Sequence, residues 1–282
     1  MNRLNIIPKP NKITYLGGEV SLESLETTVQ LSDALEEEEY ILTVDSDGIK
    51  LIAGSEKAEF YGRQSIAQLG ESCPCVTIED KPAYKYRGFM LDSGRYFFPK
   101  EDVMKFIDVM ALHKLNYFHW HLTEDQGWRV QLLDNILLTE IGAYRSHTNF
   151  GKTPHGGFYT KEDMKEVVEY AHKKCIKVIP EIDTPGHTVS AIAAYPHLSC
   201  FDRNLNVATH CGVKHDVLCV GKESTFEFMF SVFDELLEIF TDGMGEVVKY
   251  GMIWSKELFD LLKTGRVKEN LAKIVEQCVD IK

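Results

Sequence analysis

Carboxylates and basic side chains follow three stretches of strand-forming residues in this 282-residue sequence. In the clearest stretch, residues 115–129, apolar positions continue as far as Leu122, and polar and acidic residues then arrive together. Residues 87–95 and 177–187 show the same pattern. The charged side chains concerned are Asp92, Arg95, Glu124, Asp125, Glu181, Asp183 and His187. Because catalytic residues of a (β/α) barrel lie at the carboxyl ends of its parallel strands, these side chains predict one site built from several loops.

Paired carboxylates are typical of glycosidic and other acid–base chemistry. One acid alone would more often bond backbone amides of a neighbouring loop, but five acids together favour a functional site. Arg95 offers a fork of donors for sugar hydroxyls, and its alternative is a structural ion pair with Asp92 or Glu124. The turn before His187 places this histidine beside the acids, where a functional and a structural role are equally open.

Three further ring side chains lie near these acids in the sequence. Trp128 is expected either to stack on a sugar or to cover the mouth of the barrel. His119 and His121 flank Trp120 within a strand, so both histidines are expected in the core or behind the site.

The elements that must position these residues follow from the apolar periodicity. The predicted elements are a hairpin at 40–44 and 49–53, strands at 86–91, 116–122 and 176–182, and helices at 56–69, from Pro99, at 160–174 and at 224–240, with capping boxes at 160–163 and 224–227. Alternating strands and helices indicate a parallel α/β fold. The predicted architecture is a small α+β domain at 1–82, an incomplete (β/α)8 TIM barrel at 83–243 and a helical tail at 244–282.

Composition limits the partners. A formal net charge of −12 argues against nucleic acid and anionic membranes, which attract Lys and Arg, but not against a neutral sugar. No apolar run is long enough for a bilayer, and the first residues lack a signal-peptide pattern, so a cytoplasmic location is expected. The seven cysteines have no metal-ligand spacing. We therefore expect no metal and no cofactor.

Four stretches of the sequence resemble glycoside hydrolase family 20, the β-N-acetylhexosaminidases. The resemblance covers residues 1–243 and is carried by residues 87–95, 119–129, 138–145 and 180–187. It implies a retaining enzyme that removes terminal N-acetylglucosamine or N-acetylgalactosamine with the acetamido group of the substrate as nucleophile. By the same resemblance, Arg95 holds sugar hydroxyls, Glu124 and Asp125 are the acids near the site, and His187 neighbours the general acid. Trp128 and Asp183 are the other predicted substrate-binding residues.

The sequence departs from this family after Gly243. The family carries an Asp-Glu catalytic pair on the fourth strand, and no such pair follows Gly243 here. Residues 242–282 instead resemble an internal piece of 3-dehydroquinate synthase, with Glu246 and Lys249 at functional positions of that family. This pattern predicts an impaired hydrolase, with an inactive chimeric or truncated sugar-binding product as the alternative. A dehydroquinate synthase fragment is a remote third reading.

Overall fold

The computed structural model describes residues 4–212 and 214–240. Its strands are β1 (Lys12–Ser21), β2 (Thr27–Leu31), β3 (Tyr40–Asp45), β4 (Gly48–Ala53), β5 (Ser72–Asp80), β6 (Gly88–Asp92), β7 (Tyr117–His121), β8 (Thr123–Glu124), β9 (Gly127–Trp128), β10 (Tyr144–Arg145), β11 (His155–Gly156) and β12 (Lys177–Glu181). Its helices are α1 (Glu56–Ile66), α2 (Lys100–Leu112), α3 (Leu137–Glu140), α4 (Lys161–His172), α5 (Val189–Ala194) and α6 (Glu223–Leu237). None of these helices has the length and apolar character that a bilayer span needs.

The described residues form two compact units. The first contains residues 4–89, Glu101–Phe118 and Glu169–Lys177. The second contains Met90–Lys100, His119–Val168 and the described residues from Val178 onward. The predicted domain boundaries at 82 and 243 stay predictions, and the predicted helical tail lies outside the described residues.

A five-stranded sheet and helix α1 build the core of the first unit. The strand order is β1-β5-β3-β4-β2, and β3 pairs antiparallel with β4 as the predicted hairpin requires. Along β3, Tyr40, Leu42 and Val44 are buried while the alternate residues are half-buried, which is the pattern of a strand with one face on a core. Helix α1 begins at the Ser55 cap, whose side chain accepts hydrogen bonds from two backbone N–H groups.

Three parallel strands in the order β12-β7-β6 position the candidate site. Asn116 N donates to Arg87 O before β6 and β7, and Ser93 N donates to His121 O after them. Bonds at matching ends of two strands require the strands to run in the same direction. Lys177 N bonds Asn116 O and Leu122 N bonds Glu181 O, so β12 is parallel to β7 as well. The carboxyl ends of all three strands fall in the second unit.

Most predicted elements are confirmed, with shifts at their ends. The three predicted barrel strands each lie within two residues of β6, β7 and β12. The capping box of α4 is confirmed, because Thr160 Oγ1 accepts from Asp163 N at 3.0 Å and the Asp163 carboxylate accepts from Thr160 N at 3.0 Å. The predicted cap at Ser224 is wrong. Helix α6 begins at Glu223, its N-cap residue is Lys222, and the cap has no side-chain hydrogen bond.

Candidate active site

Tight turns after the parallel strands bring the predicted acids together. Asp92 is the last residue of β6, and Glu181 is the last residue of β12. After β7 the chain folds into a small antiparallel hairpin in which Glu124 pairs with Gly127. This hairpin turns the side chains of Glu124 and Asp125 into the interior, where both residues are at most 1% exposed. The carboxylates are therefore buried at the end of the sheet that the sequence predicted.

Glu124 is the centre of the charged cluster. Arg95 Nη2 contacts Glu124 Oε1, and His187 Nδ1 lies 2.9 Å from the same oxygen. The other oxygen, Oε2, accepts a 2.6 Å hydrogen bond from the N–H of Asp125. Burial raises the pKa of Glu124 above its ordinary value, although the Asp125 N–H, Arg95 and His187 act against this. Arg95 and His187 therefore compensate only part of the desolvation of this carboxylate.

Arg95 joins Glu124 to the end of β6. Its Nη1 lies 2.6 Å from Asp92 Oδ2, and its backbone N–H donates to Asp92 Oδ1 at 2.9 Å. The ion pairs named as an alternative for Arg95 are thus both present. They do not bury the side chain, because 39% of it is still exposed. Arg95 is therefore held in one orientation while part of its side chain faces solvent.

Asp125 is fixed by backbone groups. Its Oδ1 accepts a 3.1 Å hydrogen bond from Val189 N, and its backbone carbonyl accepts one from Ala208 N at 3.0 Å. Burial raises the pKa of Asp125 despite the Val189 bond and the nearby charge of His187. For Asp125, the structural role of bonding loop amides is realised together with its position in the cluster.

A second group of charges surrounds His121. Its Nε2 lies 3.2 Å from Asp183 Oδ2, and its Nδ1 lies 3.5 Å from Asp92 Oδ1. His119 Nε2 lies 2.6 Å from Glu181 Oε2. Burial alone would lower the pKa of His121, but the hydrogen bond to Asp183 and the surrounding carboxylates raise it overall. The pKa of Asp183 is lowered, since the bond and charge of His121 outweigh the opposing effect of burial. His121 therefore sits behind the exposed site, as predicted.

His187 reaches the cluster from a strained backbone position. Its φ angle of 57° lies in the left-handed region, which non-glycine residues rarely adopt. The side chain is 50% exposed although its Nδ1 contacts the buried Glu124. A strained, half-exposed histidine on a buried carboxylate is the arrangement expected of a functional site.

The same residues match one family along most of the chain. Residues 84–252 match the model described as "Glycosyl hydrolase family 20, catalytic domain", and residues 24–81 match "Glycosyl hydrolase family 20, domain 2". The chain belongs to glycosyl hydrolase family 20. The match to the catalytic-domain model continues to residue 252. It therefore extends past Gly243, after which the sequence motifs predict a change of family. Glu246 and Lys249 lie outside the described residues, so the resemblance of the tail to dehydroquinate synthase stays a prediction.

Curated relatives in family 20 are β-hexosaminidases. The chain is 42% identical over 238 residues to a beta-hexosaminidase from Porphyromonas gingivalis, covering 80% of this chain and 30% of that protein. It is 38% identical over 252 residues to one from Akkermansia muciniphila, covering 85% and 50% respectively. The chain thus spans between 30% and 50% of the length of these two relatives.

Solved family 20 structures share the fold. One crystal structure of a beta-N-acetylhexosaminidase superposes with a TM-score of 0.80 at 37% identity, covering 84% of this chain and 52% of that one. A Vibrio harveyi exo β-N-acetylglucosaminidase in complex with N-acetylglucosamine gives 0.75 at 29% identity, covering 84% and 45%. The predicted fold, an α/β protein with an N-terminal α+β part and an incomplete barrel, is confirmed.

Trp128, for which the sequence left open stacking on a sugar or covering the barrel mouth, is buried in the structure. It is 1% exposed, its Nε1 donates to Val130 O at 2.8 Å, and its ring centroid lies 6.1 Å from that of Phe228. A sugar cannot stack on a ring that is already covered by protein. The burial therefore favours the alternative, in which Trp128 is a cover over the interior, and its role in substrate binding stays a prediction.

Two overlapping groups among the described residues have ligand atoms close enough for a metal ion. They are His121, Glu124 and Asp183, and Glu124, Asp125 and His187. Both groups depend on Glu124, which already contacts Arg95 and His187. The predicted absence of a metal stays a prediction, and nothing in the donor set requires one.

A cleft of about 790 Å³ in the second unit was missed by sequence reasoning. Residues 141–147 form one wall, and residues 205–209 and 214–216 form the other, with Val189 between them. It adjoins the acid cluster, because Val189 N and Ala208 N both bond Asp125. The second wall has no helix or strand and therefore no periodicity to reveal it. The available signal was the occurrence of His210, Lys214 and His215 within six residues.

Proposed function

We propose that this chain carries the sugar-binding part of a β-N-acetylhexosaminidase site, for a terminal N-acetylglucosamine or N-acetylgalactosamine on a glycan. The observation that carries the proposal is the convergence of Arg95 and His187 on buried Glu124, at the carboxyl ends of parallel strands. Membership of family 20 supports it, as does the N-acetylglucosamine bound in the Vibrio harveyi relative.

Sugar recognition is assigned first to Arg95. Asp92 and Glu124 fix its guanidinium from two sides, so the donors left over are oriented before a ligand arrives. Fixed donors lose little conformational entropy when they bind hydroxyl groups. The sugar is neutral, so the net charge of −12 does not oppose its binding.

His187, Glu124 and Asp125 have supporting roles in this proposal. In a retaining, substrate-assisted reaction, the acetamido oxygen attacks the anomeric carbon while a carboxylic acid protonates the departing oxygen. Glu124 and Asp125 are too enclosed to reach a glycosidic oxygen, since each is at most 1% exposed. His187 is half-exposed and is held by Glu124 through its Nδ1. Its role in the proposal is to orient the general acid that protonates the departing oxygen.

Hydrolysis by this chain is expected to be severely reduced. The Asp-Glu pair that serves family 20 as acetamide-orienting group and acid/base does not follow Gly243 in this sequence. General acid–base catalysis alone contributes about 10²–10⁴-fold to a rate. A sugar-binding protein with little or no turnover is therefore the second form of the proposal, and Arg95 serves both forms.

Calorimetric titration with N-acetylglucosamine tests the proposal. We expect saturable binding by the wild-type chain and at least tenfold weaker binding by Arg95→Ala, about 1.4 kcal/mol. Arg63→Ala is the matched control, because Arg63 is an exposed arginine paired with Glu59 on α1. Turnover of an aryl N-acetylglucosaminide measured alongside separates the two forms. A folded wild-type chain that gives no heat at millimolar sugar would refute both.

A further inference from the structure

Arg145 is a buried cation for which the described residues provide no counter-ion. The residue is 7% exposed, and it lines the cleft together with residues 205–209 and 214–216. Its Nη2 donates to Arg95 O at 2.8 Å, while its Nε has no hydrogen-bond partner. No carboxylate lies within ion-pair distance of Arg145 among residues 4–212 and 214–240. Such a group is costly, because a desolvated charge is normally compensated by an ion or by several hydrogen bonds.

Nearby groups make the imbalance larger. Arg129 is completely buried in the same region, and burial together with the charge of Arg145 lowers its pKa to about 10. Every hydrogen bond of the Arg129 side chain goes to a backbone carbonyl, so no acid enters with it. Two guanidinium groups therefore share one desolvated region without a carboxylate of their own.

The open side of the cleft is cationic as well. Lys214 lines it and forms no ion pair within the part of the chain that the structure describes. Asp216, the one acid among the described residues of the lining, forms an ion pair with Arg203 at a distance of 3.0 Å. His147 and His215 complete the basic side chains of the walls. A cationic cleft in a chain of net charge −12 calls for a specific anionic ligand.

The cleft adjoins the proposed sugar site through shared hydrogen bonds. Arg145 bonds the backbone carbonyl of Arg95, and the Val189 and Ala208 amides of the walls bond Asp125. Its volume of about 790 Å³ lies within the range of roughly 300–1,000 Å³ usual for small-molecule sites. The cleft therefore has the size of a ligand site and lies next to Arg95, with Arg145 and Lys214 in its lining.

We propose that this cleft binds an anionic group of the glycan, a sulfate ester or a carboxylate, between Arg145 and Lys214. The proposal rests on the proposed function and narrows its substrate to acidic amino-sugar glycans. A guanidinium presents paired N–H donors that match the oxygens of sulfate and carboxylate, and the lysine adds a point charge. The hydroxyls of Ser146 and Thr209 line the same walls and are further donors.

The test compares four ligands by calorimetry at low ionic strength. They are N-acetylglucosamine, N-acetylglucosamine 6-sulfate, a disaccharide of N-acetylglucosamine with glucuronic acid, and inorganic sulfate. At least one anionic ligand is expected to bind about tenfold more tightly than the neutral sugar, because hydrogen bonds to charged groups are the stronger ones. Comparison of the sulfate with the uronate distinguishes the two sources of charge. The preference should shrink as salt is added.

Variants separate the cleft from the sugar site. Lys214→Gln should reduce the anionic preference severalfold and leave neutral-sugar affinity unchanged, whereas Lys214→Arg should retain the preference. Lys152→Gln is the matched control, since Lys152 is exposed and does not line the cleft. Arg145→Gln should abolish the preference, but a buried substitution can disturb folding. Lys214 therefore keeps the proposal testable by itself.

The outcomes distinguish the two proposals. If the neutral sugar binds and neither anionic ligand binds better, the cleft proposal is overturned and the proposed function stands. If the neutral sugar fails to bind but inorganic sulfate binds in a Lys214-dependent manner, the proposed function is overturned and the anion site stands. If a folded chain binds neither the neutral sugar nor any of the anionic ligands, both the proposed function and the anion site are overturned.

Discussion

Nδ1 of His187 lies 2.9 Å from Oε1 of Glu124, although half of the histidine side chain is exposed and only 1% of the glutamate side chain is. The buried carboxylate of Glu124 is thus contacted by two partly exposed side chains, His187 and Arg95. Glu124 orients the side chains of Arg95 and His187, but burying its carboxylate costs desolvation free energy. The same residue therefore favours the geometry of the site and lowers the stability of the fold.

Glu124→Gln should separate these two effects. Removing the charge frees Arg95 and His187, so affinity for N-acetylglucosamine should fall by about five- to tenfold, roughly 1–1.4 kcal/mol. Unfolding free energy should stay constant or rise, because burial disfavours the ionised form and both cations retain access to water. Calorimetry and thermal melting measure the two quantities, with the surface substitution Glu79→Gln as control. A lower melting temperature with unchanged affinity would show that Glu124 serves stability instead.

His121 should make the stability of the chain depend on pH. Its pKa in the folded protein is raised, so the protonated form stabilises the fold. This contribution is complete below the unfolded value of about 6.5 and is lost as pH rises through the higher folded pKa. Asp183 does not contribute to that change, since its lowered pKa affects stability only as the pH falls into the acid range.

Thermal melts from pH 6 to pH 9 test the His121 prediction. The wild type should lose more stability across this range than His121→Gln, and His172→Gln, at an exposed position on α4, should behave like the wild type. If the melting temperatures of His121→Gln and of the wild type depend on pH in the same way, His121 is not the source of the pH dependence.

The barrel strands were predictable because each is a short apolar run that ends in acids. Burial along β12 alternates with a period of two residues, which a pattern of sequence can reveal. Asp92, Arg95, Glu124, Asp125, Asp183 and His187 then meet as expected, since the ends of parallel strands share one edge.

Two features could not be predicted, because they depend on contacts between distant segments. Trp128 is covered by Phe228, which follows it by a hundred residues, so its burial leaves no local pattern. The unpaired Nε of Arg145, for which no described residue provides a partner, is likewise visible only when neighbours from several loops are known. Periodicity reports which face of an element is buried, but not which groups satisfy a particular side chain.

Arg129 should be one of the most sensitive positions for stability. Its guanidinium donates to the carbonyls of Ser93, Ala143, Gly157, Gly94 and Gln126 at distances from 2.6 to 3.4 Å. Lysine has three donors, so Arg129→Lys leaves buried carbonyls unpaired, and each unpaired group costs about 1–3 kcal/mol. The loss of unfolding free energy in urea should therefore be about 3 kcal/mol or more.

Substitution of Gly127 gives an independent test of how tightly the Arg129 guanidinium is held. A Cβ at Gly127 would lie 2.1 Å from the Arg129 guanidinium, so Gly127→Ala must displace it and should destabilise the chain as well. Gly151→Ala is the matched control, because its nearest non-neighbouring atom would be 4.0 Å away. Equal stability of the two alanine variants would mean that the guanidinium has room to move.

Trp128→Phe decides between the two interpretations of Trp128. If the ring closes the interior, as its burial indicates, the variant should lose about 1–3 kcal/mol of stability through the missing bond to Val130 O and the smaller ring. Affinity for N-acetylglucosamine should then change by less than about twofold, below 0.5 kcal/mol. Phe228→Leu, which alters the covering ring, should show the same division between stability and affinity. A tenfold weaker affinity at unchanged stability would instead restore the sugar-stacking interpretation, because only a ring in contact with the ligand can affect binding without affecting packing.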